Sequence, residues 1–216
     1  MNIRIGPATI EVSPARALDA EQFECCEGSA LIAAGANIER MFLPHKGLVA
    51  ILERPPVGAV AGAGLVGAGG VVGYAAVLGP AVASGDSIAL SAVSGVSISA
   101  AGFRREAGHD QRLWSAMGAY ATRRIASTER LCACVALHSV EQRLARWLLQ
   151  ASDLLGADRI DITHRRLADV HGVRRASVTT GLHMLEGERA IVCQHRRITV
   201  RDKRKLAALS CGCEAM

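Results

Sequence analysis

The chain has 216 residues and a formal net charge of +5; 50% of its residues are hydrophobic, only 3% are aromatic, and 22 are glycine. This length suits two modest domains whose cores consist of small and branched aliphatic side chains. The N-terminus has no apolar segment after a basic start, and glycine interrupts the long apolar windows, which argues against a secretory signal or a spanning helix. We therefore expect a cytoplasmic protein that does not contact a membrane.

Seven cysteines, an odd number, argue against a disulfide framework, so free thiols are the default. Cys25 and Cys26 are adjacent in a segment, Leu18 to Gly28, that we interpret as a short helix after Ile3 to Val12 and a turn at Pro14-Ala15-Arg16. Adjacent cysteines seldom both ligate one tetrahedral metal, whose ligands are usually separated by other residues. Two alternatives stay open: the pair has a thiol or redox role, or the two residues are ordinary half-buried cysteines.

Between Asn37 and Gly85, short β-favouring runs alternate with glycine and proline, which predicts a small antiparallel barrel or roll. The segment Gly62 to Gly67 also has GxGxxG spacing, but a dinucleotide site requires a helix directly after the last glycine. More glycines follow instead, so we interpret them as turns of the roll. The predicted runs are Met41 to Leu43, Leu48 to Leu52, Val57 to Val60, Leu65 to Val66 and Val71 to Val77.

The segment from Glu106 to Leu137 is predicted to be one long helix. Apolar and small residues recur along it at alternating steps of four and three, a heptad-like seam that packs either on the chain's own roll or on a second copy of the helix. Cys132 and Cys134 point to different faces of such a helix, which argues against a shared metal. The seam consists of Trp114, Gly118, Ala121, Ile125, Thr128, Cys132 and Val135.

Two apolar groups at helical spacing flank Gly172 within the segment Ile162 to Ile191. A small residue at Ala168 and a tight turn at Gly172 allow two short helices to meet at a steep angle, which is the helix-turn-helix pattern. The first group is Leu167, Ala168, Val170 and Val173, and the second is Val178, Leu182 and Leu185.

The next residues predict a basic wing. Two β-favouring runs, Ala190 to Cys193 and Arg197 to Arg201, surround Gln194-His195-Arg196 and indicate a hairpin that ends in the basic run Arg201 to Lys205. From Arg159 to Lys205 there are 12 Lys and Arg against 5 Asp and Glu, a net +7, so the rest of the +5 chain carries about −2. This confinement of positive charge predicts DNA binding.

The second helix of the pattern carries side chains of the types that contact phosphates and base edges. Arg175, near the start of that helix, is the candidate for reading guanine, and the others are candidates for holding the DNA backbone. The predicted DNA-binding residues are Thr163, Arg165, Arg174, Arg175, Ser177, Thr179, Thr180 and Arg196.

The sequence ITHRRLADVHGVRRASVTTGLHMLE, from Ile162, resembles the DNA-binding end of the Crp/Fnr family of bacterial transcription regulators. HSVEQRLARWLL, from His138, is similar to the family's helix leading into that domain. FLPHKGLVAIL, from Phe42, and GLVGAGGVVGYAAVLG, from Gly64, resemble the glycine-punctuated strands of its sensory β-roll, although more weakly.

The resemblance implies an α+β chain with three parts: an N-terminal antiparallel β-roll like that of cyclic-nucleotide-binding domains (1–105), a dimerisation helix (106–137) and a C-terminal winged helix-turn-helix domain (138–216). It also implies a homodimer that binds inverted-repeat double-stranded DNA and contacts RNA polymerase. The heptad-like seam is then the dimer interface.

The chain departs from the family where effectors bind. Cyclic-nucleotide members hold the ligand with a Glu and an Arg followed by Ser or Thr, whereas residues 71–100 contain neither Arg nor Glu, so we do not expect a cyclic nucleotide. Iron–sulfur members use several spaced N-terminal cysteines, and here only the adjacent Cys25-Cys26 pair is present, so we expect no such cluster. The effector stays open.

The recognition helix and the C-terminal tail also differ from the family pattern. Ala176 replaces the family's Glu after Arg175, and Arg174 replaces a Ser at the N-cap. Gly181 replaces an apolar residue that points inward, which lowers the intrinsic stability of the helix by about 1 kcal/mol. Cys211 and Cys213 form a CxC pair. Together with Cys193 in the wing, this pair leaves a thiol metal site or a redox switch as an open alternative. Loose terminal thiols are the default, so we predict no metal ligands.

Two functional hypotheses follow. The first is a homodimeric, sequence-specific transcription regulator. The second is a ligand- or protein-binding sensor or scaffold with only nonspecific DNA affinity, which would bind unrelated duplexes equally at each salt concentration. We do not expect an enzyme, because we find no Ser/His/Asp grouping, no paired carboxylates in a glycine-framed site and no HExxH motif, and the seven histidines are scattered.

Overall fold

The computed structural model describes residues 2–11, 18–56, 59–79 and 82–213, so the turn expected at Pro14-Ala15-Arg16 and part of the run from Val57 lie outside these ranges. The chain divides into two compact units. One comprises Met1–Ile51 and Val66–Ala126, and the other comprises Leu52–Leu65 and Ser127–Met216. In the described ranges, every helix is too short or too polar to cross a membrane.

The strands and helices have the following bounds. The strands are β1 (Asn2–Ile5), β2 (Ala8–Glu11), β3 (Glu21–Cys25), β4 (Ala30–Ile32), β5 (Arg40–Lys46), β6 (Val49–Glu53), β7 (Ala61–Val66), β8 (Asp86–Ala89), β9 (Val93–Ser99), β10 (Arg159–Asp161), β11 (Ile191–Gln194) and β12 (Arg197–Val200). The helices are α1 (Ala75–Leu78), α2 (Ala100–Ala107), α3 (Gln111–Leu137), α4 (Val140–Leu155), α5 (His164–His171), α6 (Arg175–Gly187) and α7 (Lys203–Leu209).

The N-terminal unit is the antiparallel β-roll that the sequence predicts. Strands β3, β9 and β5 form one antiparallel sheet in that order, β4, β8 and β6 follow one another in a second sheet, and β1 pairs with β2. At Gly95, β9 approaches β5 so closely that a Cβ would overlap the carbonyl oxygen of Leu43. Fully buried core side chains include Ile5, Leu18, Met41, Ile98, Phe103, Leu113 and Met117.

Two segments of the roll differ from the prediction. The helix expected over Leu18–Gly28 is strand β3, because Phe23 and Cys25 alternate with exposed polar residues and the segment pairs with β9. Phe23 packs edge-to-face on Phe42, with ring centroids 5.2 Å apart. The run Val71 to Val77 makes one antiparallel bridge, between Val72 and Phe42, before continuing into helix α1.

The single helix expected from Glu106 to Leu137 is interrupted. Helix α2 ends at Ala107, and helix α3 begins at Gln111 after a turn at Gly108. Asp110 starts the new helix, since its Oδ1 accepts from the backbone N–H of Arg112 at 3.0 Å. A side-chain acceptor at this position satisfies one of the free N–H groups of a helix N-terminus.

The C-terminal unit is the predicted winged helix-turn-helix fold. Helix α4 begins with a capping box between Ser139 and Gln142 and ends at Gly156, which has φ +62°. It packs against α6 and α7, and strands β10, β12 and β11 form a small antiparallel sheet in that order.

The sequence pattern does not indicate β10 or α7. The basic run after the wing is the first turn of α7, whose N-cap Asp202 accepts from the N–H groups of Arg204 and Lys205, each at 3.0 Å.

His171, the last residue of α5, is a core residue of this unit. Its ring packs edge-to-face on Trp147, with centroids 6.2 Å apart, and its carbonyl accepts from Arg143 at 3.5 Å. Burial, followed by the positive charges of Arg143 and Arg146, lowers the pKa of His171 to about 3. The imidazole is therefore neutral at neutral pH.

Tyr120 gives a test of how α3 is fixed to the roll. Its buried hydroxyl accepts from the Val71 N–H at 2.9 Å and donates to the Val71 carbonyl at 3.1 Å. Tyr120→Phe leaves both backbone groups unpaired, so we expect about 1 to 3 kcal/mol lower unfolding free energy in urea and faster hydrogen exchange of the Val71 amide. Tyr74→Phe is the control, because within the described ranges the Tyr74 hydroxyl makes no hydrogen bond. Equal losses in the two variants would contradict this role.

Candidate nucleic-acid interface

The turn between α5 and α6 is fixed by local backbone bonds. Thr163 caps α5, its Oγ1 accepting from the Arg166 N–H at 3.1 Å. Gly172 ends the helix with φ +62°, and the next N–H, of Val173, donates to the Ala168 carbonyl at 3.1 Å. A residue with a left-handed backbone at this position is the usual way to stop a helix sharply, and it explains why the sequence has glycine there.

Helix α6 has a buried face and an exposed face. Val178, Gly181, Leu182 and Leu185 are buried, as the predicted apolar spacing requires. The opposite side is exposed to solvent, and it begins with the two arginines at the start of the helix. The exposed residues are Arg174, Arg175, Ala176, Thr180, His183, Met184 and Gly187.

The positive charges of this unit fall into two groups. Arg159 and Arg197 both contact Asp161, and these contacts, led by the Arg159 hydrogen bond, lower the pKa of Asp161. Lys203, which the sequence places at the end of a basic wing, instead pairs with Asp153 at 2.9 Å. Arg174 and Arg175, by contrast, have no ion-pair partner among the described residues. The start of α6 therefore carries uncompensated positive charge.

The start of α5 contacts the side of α6. Thr179 Oγ1 lies 2.9 Å from Nδ1 of His164 and also donates to the Arg175 carbonyl at 3.2 Å. Burial, together with the positive charges of Arg175 and His183, lowers the pKa of His164. The Thr179 hydroxyl therefore has protein partners, whereas the predicted site residue Thr180 is exposed.

The other predicted residues lie at three places. Arg165 is exposed on α5 and pairs with Asp169 at 3.4 Å; Ser177 is half-buried on α6. Arg196 is exposed in the turn between β11 and β12, with an unusual φ of +56°. His183, which the sequence analysis does not name as a candidate, is also exposed, three residues after Thr180 and therefore on the same helical face.

Cys193, in the wing, is a half-buried free thiol whose surroundings disfavour the thiolate. Its backbone N–H donates to Glu186 Oε1 at 2.7 Å. Burial, followed by the negative charge of Glu186, raises the pKa of the Cys193 thiol to about 11. A thiol with so high a pKa is almost never a thiolate at neutral pH, and the thiolate is the reactive form.

The predicted seam on α3 is buried at one end and exposed at the other. Trp114 is half-buried against the roll core and Ala121 is 8% exposed. Beyond them, Ile125 is 57% and Val135 is 52% exposed. Thr128 and Cys132 are exposed as well, and a Cβ at Gly118 would meet nothing within 4 Å.

Comparison with known proteins agrees with this geometry. Residues 142–209, which extend from α4 to α7, match the model of a Crp-like helix-turn-helix domain. A search of curated protein sequences gives no match.

Solved structures of bacterial regulators share the fold. FixK2 from Bradyrhizobium japonicum is 18% identical, with a TM-score of 0.77 over 88% of this chain and 97% of its own. A CRP-family transcriptional regulator from Thermus thermophilus is 20% identical, with a TM-score of 0.73 over 87% and 96%. CLP, the c-di-GMP-responsive global regulator of Xanthomonas campestris, is 17% identical, with a TM-score of 0.70 over 86% and 96%. The C-terminal part of the chain is therefore a Crp-like helix-turn-helix domain, and the chain shares its fold with these regulators.

Proposed function

We propose that the chain is a homodimeric, sequence-specific DNA-binding transcription regulator that responds to a signal other than a cyclic nucleotide. One observation carries the proposal: α6 buries its apolar face and presents Arg174 and Arg175 to solvent without an ion-pair partner among the described residues. Unpaired guanidinium groups at the start of an exposed helix suit a polyanion with readable base edges. We call α6 the recognition helix.

Arg175 is the residue that reads sequence in this proposal. A side chain in the first turn of a recognition helix reaches the floor of the major groove, and the planar guanidinium bonds O6 and N7 of guanine together. Ala176 follows it and has no acceptor for cytosine N4. The preferred operator therefore differs at that base pair from the operators of family members with Glu there.

The surrounding residues hold the DNA backbone. Arg174 and Ser177 flank Arg175, and Thr163 and Arg165 lie at the start of α5. Arg196 supplies a charge from the wing turn, and Thr180 adds a hydroxyl on the exposed face. Thr179 acts through its bond to His164, which joins the start of α5 to α6. Phosphate contacts of this kind set register and affinity without reading bases.

The exposed part of α3 supports a homodimer. Ile125 and Val135 are more than half exposed, and with Thr128 and Cys132 they follow the heptad-like spacing. A second copy of α3 would bury this row. Two recognition helices in a symmetric dimer lie about one DNA turn apart, roughly 34 Å, so the operator is an inverted repeat. RNA polymerase is the further partner of a regulator of this type.

The signal is not a cyclic nucleotide in this proposal. Residues 71–100 contain no Arg and no Glu. Two arginines from elsewhere in the roll are already engaged by backbone carbonyls, since Arg40 donates to Ser97 and Arg104 to Ala76, both at 3.2 Å. These two guanidinium groups are therefore already engaged and less available to a bound phosphate.

Selection of binding sites from random DNA tests the function as a whole. We expect an enriched inverted repeat with a guanine at the same position of each half-site. Arg175→Ala should then weaken binding to this operator by about 1 to 3 kcal/mol, roughly 5- to 140-fold, and flatten the preference at that base pair. Binding is measured by fluorescence anisotropy on the operator and a scrambled duplex over a salt series.

Two further variants separate charge from shape. Arg175→Lys keeps the charge but loses the planar fork, so it should lose the same base preference with an unchanged salt dependence. Arg204→Ala removes one exposed charge from α7 and should weaken both duplexes alike, if at all. The dimeric regulator is wrong if no inverted repeat is enriched. Equal weakening of both duplexes by Arg175→Ala would make Arg175 a phosphate contact.

Ile125→Asp tests the dimer. The substitution would place two carboxylates in the interface without partners, and like charges buried together are strongly unfavourable. Analytical ultracentrifugation should show monomers at concentrations where the parent protein is a dimer. Ala119→Asp, exposed on another face of α3, should leave the dimer intact. If both variants are dimers, the heptad-like seam is not the dimer interface.

Cyclic nucleotides should not stabilise the protein. A ligand at 100 times its dissociation constant stabilises by about 2.7 kcal/mol, which a thermal melt detects readily. We expect cyclic AMP and cyclic GMP to change neither the melting temperature nor DNA affinity. The same holds for c-di-GMP, to which the Xanthomonas regulator responds. A clear shift with any of the three would overturn this part of the proposal.

A further inference from the structure

Three cysteines and a histidine from distant parts of the sequence meet in the C-terminal unit. Cys134 lies in the last turn of α3 and His138 follows that helix, while Cys211 and Cys213 follow α7. Their ligand atoms all lie within 4.8 Å of one another. Sγ of Cys134 is 3.4 Å from Sγ of Cys211, and Sγ of Cys213 is 3.6 Å from Nδ1 of His138.

These separations suit one small tetrahedral ion. With Zn–S near 2.3 Å and Zn–N near 2.0 to 2.1 Å, a tetrahedron has edges of about 3.8 Å between sulfurs and about 3.6 Å between sulfur and nitrogen. An iron–sulfur cluster places several irons and sulfides between its ligands and needs them further apart. A disulfide would use only Cys134 and Cys211 and leave the other two residues unexplained.

Local structure brings the four ligands together. Cys134 and His138 are four residues apart, so both side chains project from one side of the helix end. Gly212, with φ +66°, turns the chain between Cys211 and Cys213 so that both sulfurs approach the same point. Cys132, two residues before Cys134, is exposed and does not belong to the group.

The surroundings favour a metal–thiolate centre. Cys134 is fully buried, and the other three ligands are half-buried. A zinc ion with three thiolates and a neutral imidazole carries a net charge of about −1, and the Arg146 guanidinium, which acts electrostatically on all three cysteines, offsets it. Cys213 also lines a cleft of about 340 Å³, which gives an ion access from solvent.

We propose that Cys134, His138, Cys211 and Cys213 bind one Zn²⁺ ion. Sulfur-rich tetrahedral sets are the donors that select zinc among divalent ions, and four protein ligands make a closed, structural site. The ion would hold the segment after α7 against the end of α3, which closes a loop of about 80 residues. The sequence alone does not identify these four ligands, because a CxC pair has no specific meaning without its two distant partners.

Metal analysis of the full-length protein tests the proposal. We expect one zinc per chain after purification under reducing conditions without chelator. X-ray absorption should give three sulfurs and one nitrogen at the distances above. After cobalt replacement, the visible spectrum should show the intense bands of a tetrahedral thiolate complex. A zinc-free protein, a Cys134–Cys211 disulfide in the reduced preparation, or an iron–sulfur spectrum would each overturn the assignment.

Variants identify the ligands. Cys134→Ser, Cys211→Ser, Cys213→Ser and His138→Gln should each lower zinc affinity at least tenfold, measured by competition with a chelating dye. Cys132→Ser in the same helix and Cys193→Ser in the wing are matched controls and should keep full zinc content. If a ligand variant does not fold, chelator titration of the parent protein still decides: removal of zinc should lower its melting temperature. Equal zinc loss in Cys132→Ser would exclude the site.

Discussion

The recognition helix lies against α4 at Gly181, where a larger residue would have to displace the end of the Leu144 side chain. A Cβ added at Gly181 would be 2.7 Å from Cδ1 of Leu144 and 3.5 Å from Cγ of Glu141. Glycine inside a helix costs about 1 kcal/mol relative to alanine. The close approach compensates for it, because it lets Leu144 and Leu182 both become fully buried. The distance between these two helices determines where the exposed face of α6 can stand.

Helix α6 gains little stability from its own sequence. Arg174 makes no side-chain cap, and no acidic residue lies in the first turn to complement the helix dipole. Its stability comes from burial of Val178, Leu182 and Leu185, each worth about 1.5 to 3 kcal/mol. The same features that weaken the isolated helix, free N–H groups and two arginines at its start, favour an anion there. The stability of α6 and its proposed affinity for DNA thus come from opposite faces of the helix.

The sequence predicts the elements whose determinants are local. The turn at Gly172, the two helices around it and the strands of the wing follow from spacing and turn residues within about forty positions. The prediction for strand β3 is wrong because its alternation is short and its pairing with β9 is seventy residues distant. The prediction of a single helix is wrong at Gly108–Asp110, where a glycine ends one helix and the Asp110 side chain begins the next. The sequence does not predict α7, because its first turn is almost wholly basic.

The sequence predicts some residues of the candidate site and not others, for the same reason. The exposure of Arg175 and Thr180 follows from helical periodicity, whereas the bond between Thr179 and His164 joins two helices and has no sequence signature. Gly62 is a similar case. Local grounds argue against a dinucleotide motif there, but only the structure gives the reason for the glycine: a Cβ would lie 2.5 Å from the Val170 carbonyl oxygen of α5.

Helix α4 connects the cysteine–histidine group to the recognition helix. His138 stands directly before Ser139, the N-cap of α4, and Arg146 on α4 acts on the three cysteines. Glu141 and Leu144, five and two residues before Arg146, form the surface against Gly181. Leu206 of α7 is buried, and α7 packs on the same helix, so the tail that carries Cys211 and Cys213 is anchored to α4 as well. Packed interiors transmit small shifts because they contain few voids, and a single helix separates the proposed metal ligands from the residue that sets the position of α6.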